Sequence, residues 1–417
     1  MQALKGFKDI LPDEIATWQL IEQKARDLFQ RFGFAEIRVP LLEKTGLFAR
    51  SIGEATDIVE KEMYTFSDRN GDSVTLRPEG TASVLRAFIE HSLHLRQPLS
   101  KLYTIGPMFR HERPQKGRLR QFHQLSVEAL GSEQPRLDAE VIALAWGLAT
   151  ELGLNVSLEL NSLGCPACRP AYRQRLIDFL EARREQLCED CQRRISSNPL
   201  RVLDCKSQHC RQVNAEAPAI LDSLCPACDE HLAAVRRDLE ALAIPYRLNP
   251  FMVRGLDYYT RTTFELLTDD LGSQSAVGAG GRYDGLVKQL GGPDLPGIGF
   301  AMGIERLVLL LQNQRRITPP GPELFIAALG EDAADFAFAL LHSCRRQGLR
   351  AVMDVQGRGL KNQMKQADRL GAAQVLIIGE DELNRGRATL RDMSSKIETD
   401  VLLSDEDLSE IIAAIRP

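Results

Sequence analysis

The stretch Phe109-Arg-His-Glu-Arg-Pro-Gln-Lys-Gly-Arg-Leu-Arg-Gln-Phe-His-Gln124 places four arginines and one lysine within eleven residues. It is flanked by Lys101-Leu-Tyr-Thr-Ile-Gly and Gln121-Phe-His-Gln-Leu-Ser-Val-Glu128, where apolar and polar residues alternate. Alternation of period two predicts half-buried strands, and Pro114 and Gly117 supply turn chemistry between them. The segment therefore reads as a hairpin, which commits the chain to an antiparallel pair. Arginine presents a planar fork of donors that fits phosphate oxygens in pairs, and Arg110, at a strand end, is aimed more rigidly than a residue at a loop tip. A grip for a polyanion is one reading of this hairpin; a solvated charged face is the other.

The 417 residues, 44% of them hydrophobic, are enough for two or three domains. No run of about 18 apolar residues occurs, and Met1 to Asp9 lack the apolar core of a secretory signal, so a cytoplasmic protein without a membrane partner is expected. A net charge of −5 argues against non-specific coating of nucleic acid but permits local basic sites. Cysteines pair at Cys165/Cys168, Cys188/Cys191 and Cys225/Cys228, more widely at Cys205/Cys210, and Cys344 stands apart. In a reducing compartment such pairs suggest metal before disulfide. Two are Cys-Pro-Ala-Cys turns, and Cys165, Cys168, Cys225 and Cys228 are the candidate thiolates for a structural Zn²⁺. The segment has cysteines for one ion or two; packed thiols without metal are the alternative.

Helical spacing runs from Trp18 to Phe32, a strand is expected over Ala35–Pro40, and residues up to about 160 mix short strands with helices. That pattern predicts an α+β fold around an antiparallel sheet. Residues 165–235 carry the clustered cysteines with few strand signals and read as a mainly helical insertion. Strand signals resume at Ile244 and Thr262, and a helix follows from Ile304 to Leu311. Thr318-Pro-Pro-Gly-Pro322 marks a linker. Beyond it strand and helix alternate, predicting a small α/β domain with a largely parallel sheet.

The glycines around Gly281-Arg-Tyr-Asp-Gly285 allow backbone to approach a ligand or simply to turn tightly, and no Walker or dinucleotide-binding loop is present. Arg306 lies in an otherwise apolar helix, where an unpaired guanidinium is costly; it needs an anionic ligand or an internal acid such as Glu305. Arg254, in Arg-Gly-Leu-Asp-Tyr-Tyr259, is a second isolated arginine.

Phe109-Arg-His-Glu112 with its loop resembles the second signature motif of class II aminoacyl-tRNA synthetases, and Gly299-Phe-Ala-Met-Gly-Ile-Glu-Arg306 resembles the third. Leu76-Arg-Pro-Glu-Gly-Thr81, Arg254 to Tyr259 and Ala279 to Gly285 narrow the likeness to the histidyl-tRNA synthetase family. Phe34 to Phe66, with Pro40 near its strand, resembles the first motif, which builds the dimer interface in that family; a homodimer is therefore implied. The resemblance implies a class II synthetase-like antiparallel sheet flanked by helices. It divides the chain into a catalytic domain over residues 1–164 and 236–317, a Cys-rich insertion over 165–235 and an anticodon-binding domain over 323–417. The partners implied are L-histidine, ATP with Mg²⁺, and tRNA(His).

By position, Arg110, Arg254 and Arg306 match the catalytic cations on the ATP phosphates, and Glu112 and Arg118 join Arg110 and Arg306 in binding ATP. Glu79, Gly80, Thr81 and Gln124 match the α-ammonium site, and Glu128, Tyr258, Tyr259 and Tyr283 the imidazole pocket. Arg113, Lys116 and Arg120 on the hairpin, and Lys361 and Lys365 in the tail, are the expected tRNA contacts. A catalytically silent regulatory relative would be expected to lose the tail and erode Arg110, Arg254 and Arg306, which this chain keeps.

Overall fold

The alternating runs on either side of the basic loop form two ten-residue strands, and the rest of a large sheet is built around them. The computed structural model describes residues 1–416 except Glu54, Ala55, Arg254, Gly255, Asp257, Ser275, Arg315 and Arg316. It separates into two units, meeting in sequence at Ile317 and Thr318. Strands described in the first are β1 Ala35–Glu36, β2 Leu42–Lys44, β3 Tyr64–Ser67, β4 Ser73–Leu76, β5 Ser100–Phe109, β6 Gln121–Leu130, β7 Ser157–Ser162, β8 Arg247–Leu248, β9 Thr260–Leu267, β10 Ala276–Arg282 and β11 Gly297–Gly303. The main sheet runs β1-β5-β6-β11-β10-β9-β7-β8, and β2-β4-β3 form a small separate sheet. The six inner strands pair antiparallel; only the short edge strands β1 and β8 pair parallel.

The period of two sorts this sheet by face. On β6, Leu125, Val127 and Ala129 enter the main hydrophobic core, while Gln124 and Ser126 line a cavity on the opposite face, the face that Glu128 shares. Helices Pro12–Arg31, Pro135–Glu151, Pro226–Ala241 and Ile304–Gln314 contribute to that core. The first starts at a proline with Asp13 and Glu14 in its first turn, and it buries Trp18, Ile21, Ala25, Leu28 and Phe29 at helical spacing. Strand β1 ends at Glu36, short of the expected Pro40, although the Ile37 amide still donates to the Tyr103 carbonyl at 2.8 Å.

One charged network fastens the sheet to these helices. Fully buried Arg282 on β10 donates to buried Asp138 of Pro135–Glu151 (Nε to Oδ1, 3.1 Å), and His231 Nε2 lies 2.7 Å from the other Asp138 oxygen. Arg282 also donates to the Ser132 carbonyl and to Asp284. Despite the burial, these neighbours hold the Asp138 carboxyl below its ordinary range. The arginine of the glycine-rich motif is thus committed to the scaffold.

Within the Cys-rich segment, helices Arg169–Glu181, Glu189–Ser197, Leu200–Leu203 and Gln208–Asn214 close over their own core of Tyr172, Leu176, Leu180, Ile195, Val202 and Val213. Helix Pro226–Ala241, which begins inside the segment 165–235, instead sends Leu232, Val235 and Leu239 into the main core.

In the second unit β12 Leu324–Ala328, β13 Ala351–Met353, β14 Gln374–Ile378, β15 Arg387–Asp392 and β16 Glu398–Leu402 lie in the order β13-β12-β14-β15-β16. The first three are parallel, as expected, and β14-β15-β16 are antiparallel, which corrects the expectation of a largely parallel sheet. Five residues join β15 to β16, too few for a parallel crossover. Asp392 fixes that turn by accepting the Ser394 and Ser395 amides. Residues from helix Glu331–Arg346 and from helix Leu360–Arg369 join separate apolar clusters, so both faces of this sheet are covered.

Candidate active site and thiolate clusters

Glu128, only 1% exposed, lies on the same face of β6 as Gln124 and Ser126, behind the wall of a cavity of about 530 Å³ that those two residues line. Thr81 Oγ1 donates to its Oε1 at 2.6 Å and the Tyr283 hydroxyl donates to its Oε2. Burial outweighs these two hydrogen bonds and lifts the carboxyl to about 8. Gly299 of β11 lies directly opposite Glu128 in register, and a Cβ there would collide with the Glu128 carboxylate and the Val127 carbonyl. Glycine is therefore what leaves room for the acid. Gly80 is similar: a Cβ would sit 2.9 Å from Ser126 Oγ.

Glu79 is buried beside the start of helix Thr81–Glu90 and accepts the amides of Thr81 and Ala82, each at 2.8 Å. Burial raises its carboxyl, opposed by those amides and by the charge of Arg110. Tyr258 and Tyr259 are buried with rings 4.7 Å apart, and Tyr258 meets Tyr283 edge-on at 5.7 Å. Gln124 completes the wall along β6. Of the residues expected to bind histidine, Glu79, Gly80, Thr81, Gln124, Tyr258, Tyr259 and Tyr283 line this one cavity, and Glu128 lies behind its wall, hydrogen-bonded to Thr81 and Tyr283.

Cations gather at its other end. Arg110 donates through Nε to the Pro78 carbonyl at 2.8 Å and lies over the Phe122 ring, which sets the direction of its fork. Arg118 pairs with Glu112, and Arg306 donates to the Ala276 carbonyl. Burial lowers all three guanidinium pKa values, and Arg306 is lowered further by the neighbouring charges of Arg118 and Arg110. Guanidinium groups brought this close to one another in a cavity make it a candidate anion site. Glu305 is committed elsewhere: it accepts the His123 amide and contacts His123 Nδ1 at 3.0 Å. Arg254 lies outside the described residues.

Arg113 and Lys116 are exposed on the hairpin loop. Arg120 is not offered outward in the same way, because its Nε donates to the Glu112 carbonyl and its amide to the Gly6 carbonyl. In the second unit Lys361 and Lys365 are exposed one helical turn apart, and buried Gln363 between them ties the helix to Ala328 of β12.

Several cavity residues escaped the sequence reading. Ser126 sits between Gln124 and Glu128 on the same face, so the strand's alternation already pointed to it; its hydroxyl is buried with no hydrogen-bond partner among the described residues. Glu265 of β9 and, from the insertion, Arg201, Asp204 and Lys206 also line the cavity, and no local signal marks them.

The cysteines resolve into two four-thiol groups, Cys165, Cys168, Cys225 and Cys228, and Cys188, Cys191, Cys205 and Cys210. In each, all four Sγ atoms lie within 4.8 Å of one another. The measured separations are 3.6 Å for Cys165 to Cys168, 3.8 Å for Cys165 to Cys225 and 3.9 Å for Cys188 to Cys205. A tetrahedron of thiolates about 2.3 Å from a zinc ion has edges of about 3.8 Å. Both groups fit one such ion. The pairing left open by sequence is thus Cys165/Cys168 with Cys225/Cys228, across 60 residues.

The sequence model of the family described as Histidyl-tRNA synthetase matches residues 6–307, and that of the Anticodon binding domain matches residues 323–415. A Histidine--tRNA ligase of Syntrophotalea carbinolica is 58% identical over 396 residues, covering 95% of this chain and 94% of that one. The Geobacter sulfurreducens Histidine--tRNA ligase is 57% identical, covering 97% and 98%. The solved structure of apo S. aureus histidyl-tRNA synthetase superposes with a TM-score of 0.82 at 38% identity, covering 97% of each chain. Likeness on that scale, over a chain that gathers Glu79, Tyr258, Tyr283 and three arginines around one cavity, leaves a single placement: the chain belongs to the histidyl-tRNA synthetase family.

Proposed function

We infer that this cavity is where the chain, a histidine–tRNA ligase, activates L-histidine with ATP and then charges tRNA(His). The observation that carries the assignment is Glu128, a buried carboxyl held by the hydroxyls of Thr81 and Tyr283, both of which line a cavity that Arg110, Arg118 and Arg306 also line. An imidazole carries a donor and an acceptor, or two donors when charged, and a carboxylate beside phenols reads it; an apolar analogue would leave buried polar groups unpaired. Glu79, Thr81 and Gln124 receive the α-ammonium, and Tyr258 and Tyr259 close the pocket.

Histidine's carboxylate oxygen then attacks the α-phosphorus of ATP, the bond to the bridging oxygen breaks, and pyrophosphate leaves. Negative charge builds on the phosphates, so fixed cations are the chief catalytic requirement. Arg110 serves the α-phosphate and Arg306 the γ-phosphate, with Arg254 assigned from its motif; Glu112 and Arg118 hold the nucleotide. Mg²⁺ would neutralise phosphate charge, and Glu265, which lines the cavity, would be a carboxylate ligand for it. In the second step the terminal ribose hydroxyl of the tRNA attacks the acyl carbon and AMP leaves. Arg113 and Lys116 are the hairpin's tRNA contacts, Arg120 positions the loop, and Lys361 and Lys365 act in the anticodon-binding domain over 323–417.

Residues 1–164 and 236–317 form the catalytic domain and 165–235 the insertion, with a structural Zn²⁺ on Cys165, Cys168, Cys225 and Cys228. The enzyme works in the cytoplasm as a homodimer joined through the segment Phe34 to Phe66, where Leu41, Leu42 and Phe66 are large apolar side chains left exposed. No helix among the described residues is long and apolar enough to cross a membrane. Histidine-dependent exchange of pyrophosphate into ATP tests the assignment. The parent should exchange and the Arg254→Ala variant should not; no exchange in the parent would sink it.

A further inference from the structure

The Cys-rich segment has a second four-thiol group that the fold does not otherwise need. Cys188 and Cys191 sit at the start of helix Glu189–Ser197, Cys205 follows helix Leu200–Leu203, and Cys210 lies in helix Gln208–Asn214. Packing alone does not explain the convergence of four polarizable thiols, two of them half-exposed, on one point. The Cys188 amide donates to Cys210 Sγ at 3.2 Å, an arrangement that favours a thiolate sulfur, and the Cys225 amide repeats it on Cys168 Sγ at 3.1 Å in the other group. The segment's helices are short, so its small core gains much from a central staple.

The position of Cys205 gives this group a wider consequence. Its neighbours Asp204 and Lys206, with Arg201, line the catalytic cavity. Arg201 also spans the gap to the catalytic domain, 3.5 Å from Asp57 and 3.3 Å from Asp204, and Arg194 reaches Asp57 at 3.6 Å. Asp57 lines the cavity as well. We propose that Cys188, Cys191, Cys205 and Cys210 hold a second structural zinc ion that keeps the Asp204–Lys206 turn against the catalytic cavity. The metal centre follows from the sulfur geometry alone. Its positioning role rests on the cavity assignment above, and the two are read by different measurements.

The test begins with the intact chain purified under reducing conditions without chelator. Elemental analysis should find two zinc equivalents per chain, released by a mercurial reagent in proportion to the thiols titrated. Cobalt(II) replacement should give tetrahedral thiolate bands whose intensity corresponds to two sites. The Cys188→Ser/Cys191→Ser variant should lose one equivalent and Cys165→Ser/Cys168→Ser the other. One equivalent or none in the parent, or a Cys188–Cys191 disulfide, would overturn the second centre. For the positioning role, the Cys188→Ser/Cys191→Ser chain should show faster proteolysis within 183–216 and a KM for ATP raised by up to about fivefold, the scale of a lost partly exposed ion pair. Unchanged ATP kinetics in a chain that has lost that zinc would refute the role.

Discussion

Replacing Glu128 by glutamine probes the centre of the site through two independent properties. The acid titrates at about 8 in the folded chain against 4.5 for an ordinary glutamate, because its burial is only partly offset by Thr81 and Tyr283. Between these values the folded state keeps a proton that the unfolded state has lost, so stability falls as pH rises. Integrated from about pH 6 to pH 8, that single proton costs roughly 2 kcal/mol. Glutamine has no proton to lose, so the variant should gain roughly 2 kcal/mol relative to the parent over the same interval, read from urea unfolding in the two buffers. The amide cannot give up a proton as Glu128 can when the imidazole binds, and so cannot form the resulting charged hydrogen bond, worth about 1.5–3 kcal/mol; the KM for histidine in pyrophosphate exchange should rise roughly ten- to a hundredfold. Stability–pH curves that stay parallel, or an unchanged histidine KM, would refute the placement of Glu128 against the substrate.

Other perturbations address the surrounding parts. Arg306→Ala should lower kcat for exchange by about a hundred- to a thousandfold at saturating ATP, as expected for removal of one preorganised charge; an effect confined to KM would mean it acts only in binding. Gly299→Ala should raise the histidine KM and cost about 1–3 kcal/mol in denaturant titration, since its methyl group falls on the Glu128 carboxylate. Asp138→Ala leaves Arg282 buried without its main partner and should destabilise the first unit by about 3–5 kcal/mol, while any folded fraction keeps its histidine affinity. Ending the chain after Pro322 should spare adenylate formation more than tRNA charging, and equal losses in the two assays would contradict that division of labour.

The hairpin was legible because both flanks alternate over several residues, and alternation says which face each residue takes. It could have named Ser126 as well. What stayed hidden depends on approaches between residues far apart in the chain. Asp138 and Arg282 are 144 positions apart, and nothing local to the glycine-rich motif shows that its arginine is spoken for. The thiol groups pose the same problem, since three Cys-x-x-Cys turns are locally alike while their union depends on how five helices fold. Glu265, Arg201, Asp204 and Lys206 reach the cavity from separate elements for that reason. The tail's last two strands departed from the expected parallel order because a five-residue connection overrides a pattern read strand by strand.

On strand β6, Leu125, Val127 and Ala129 face the core, while Gln124, Ser126 and Glu128 alternate with them on the cavity side. Insertion or loss of a single residue anywhere along it would exchange the two sets, turning Val127 toward the substrates and Glu128 into the oil. Length variation in this ribbon is therefore confined to residues 110–120, beyond the last paired residues Phe109 and Gln121. Residues added to or lost from the loop would leave the faces of both strands unchanged. The basic loop and the paired strands thus share one hairpin but tolerate changes of length very differently.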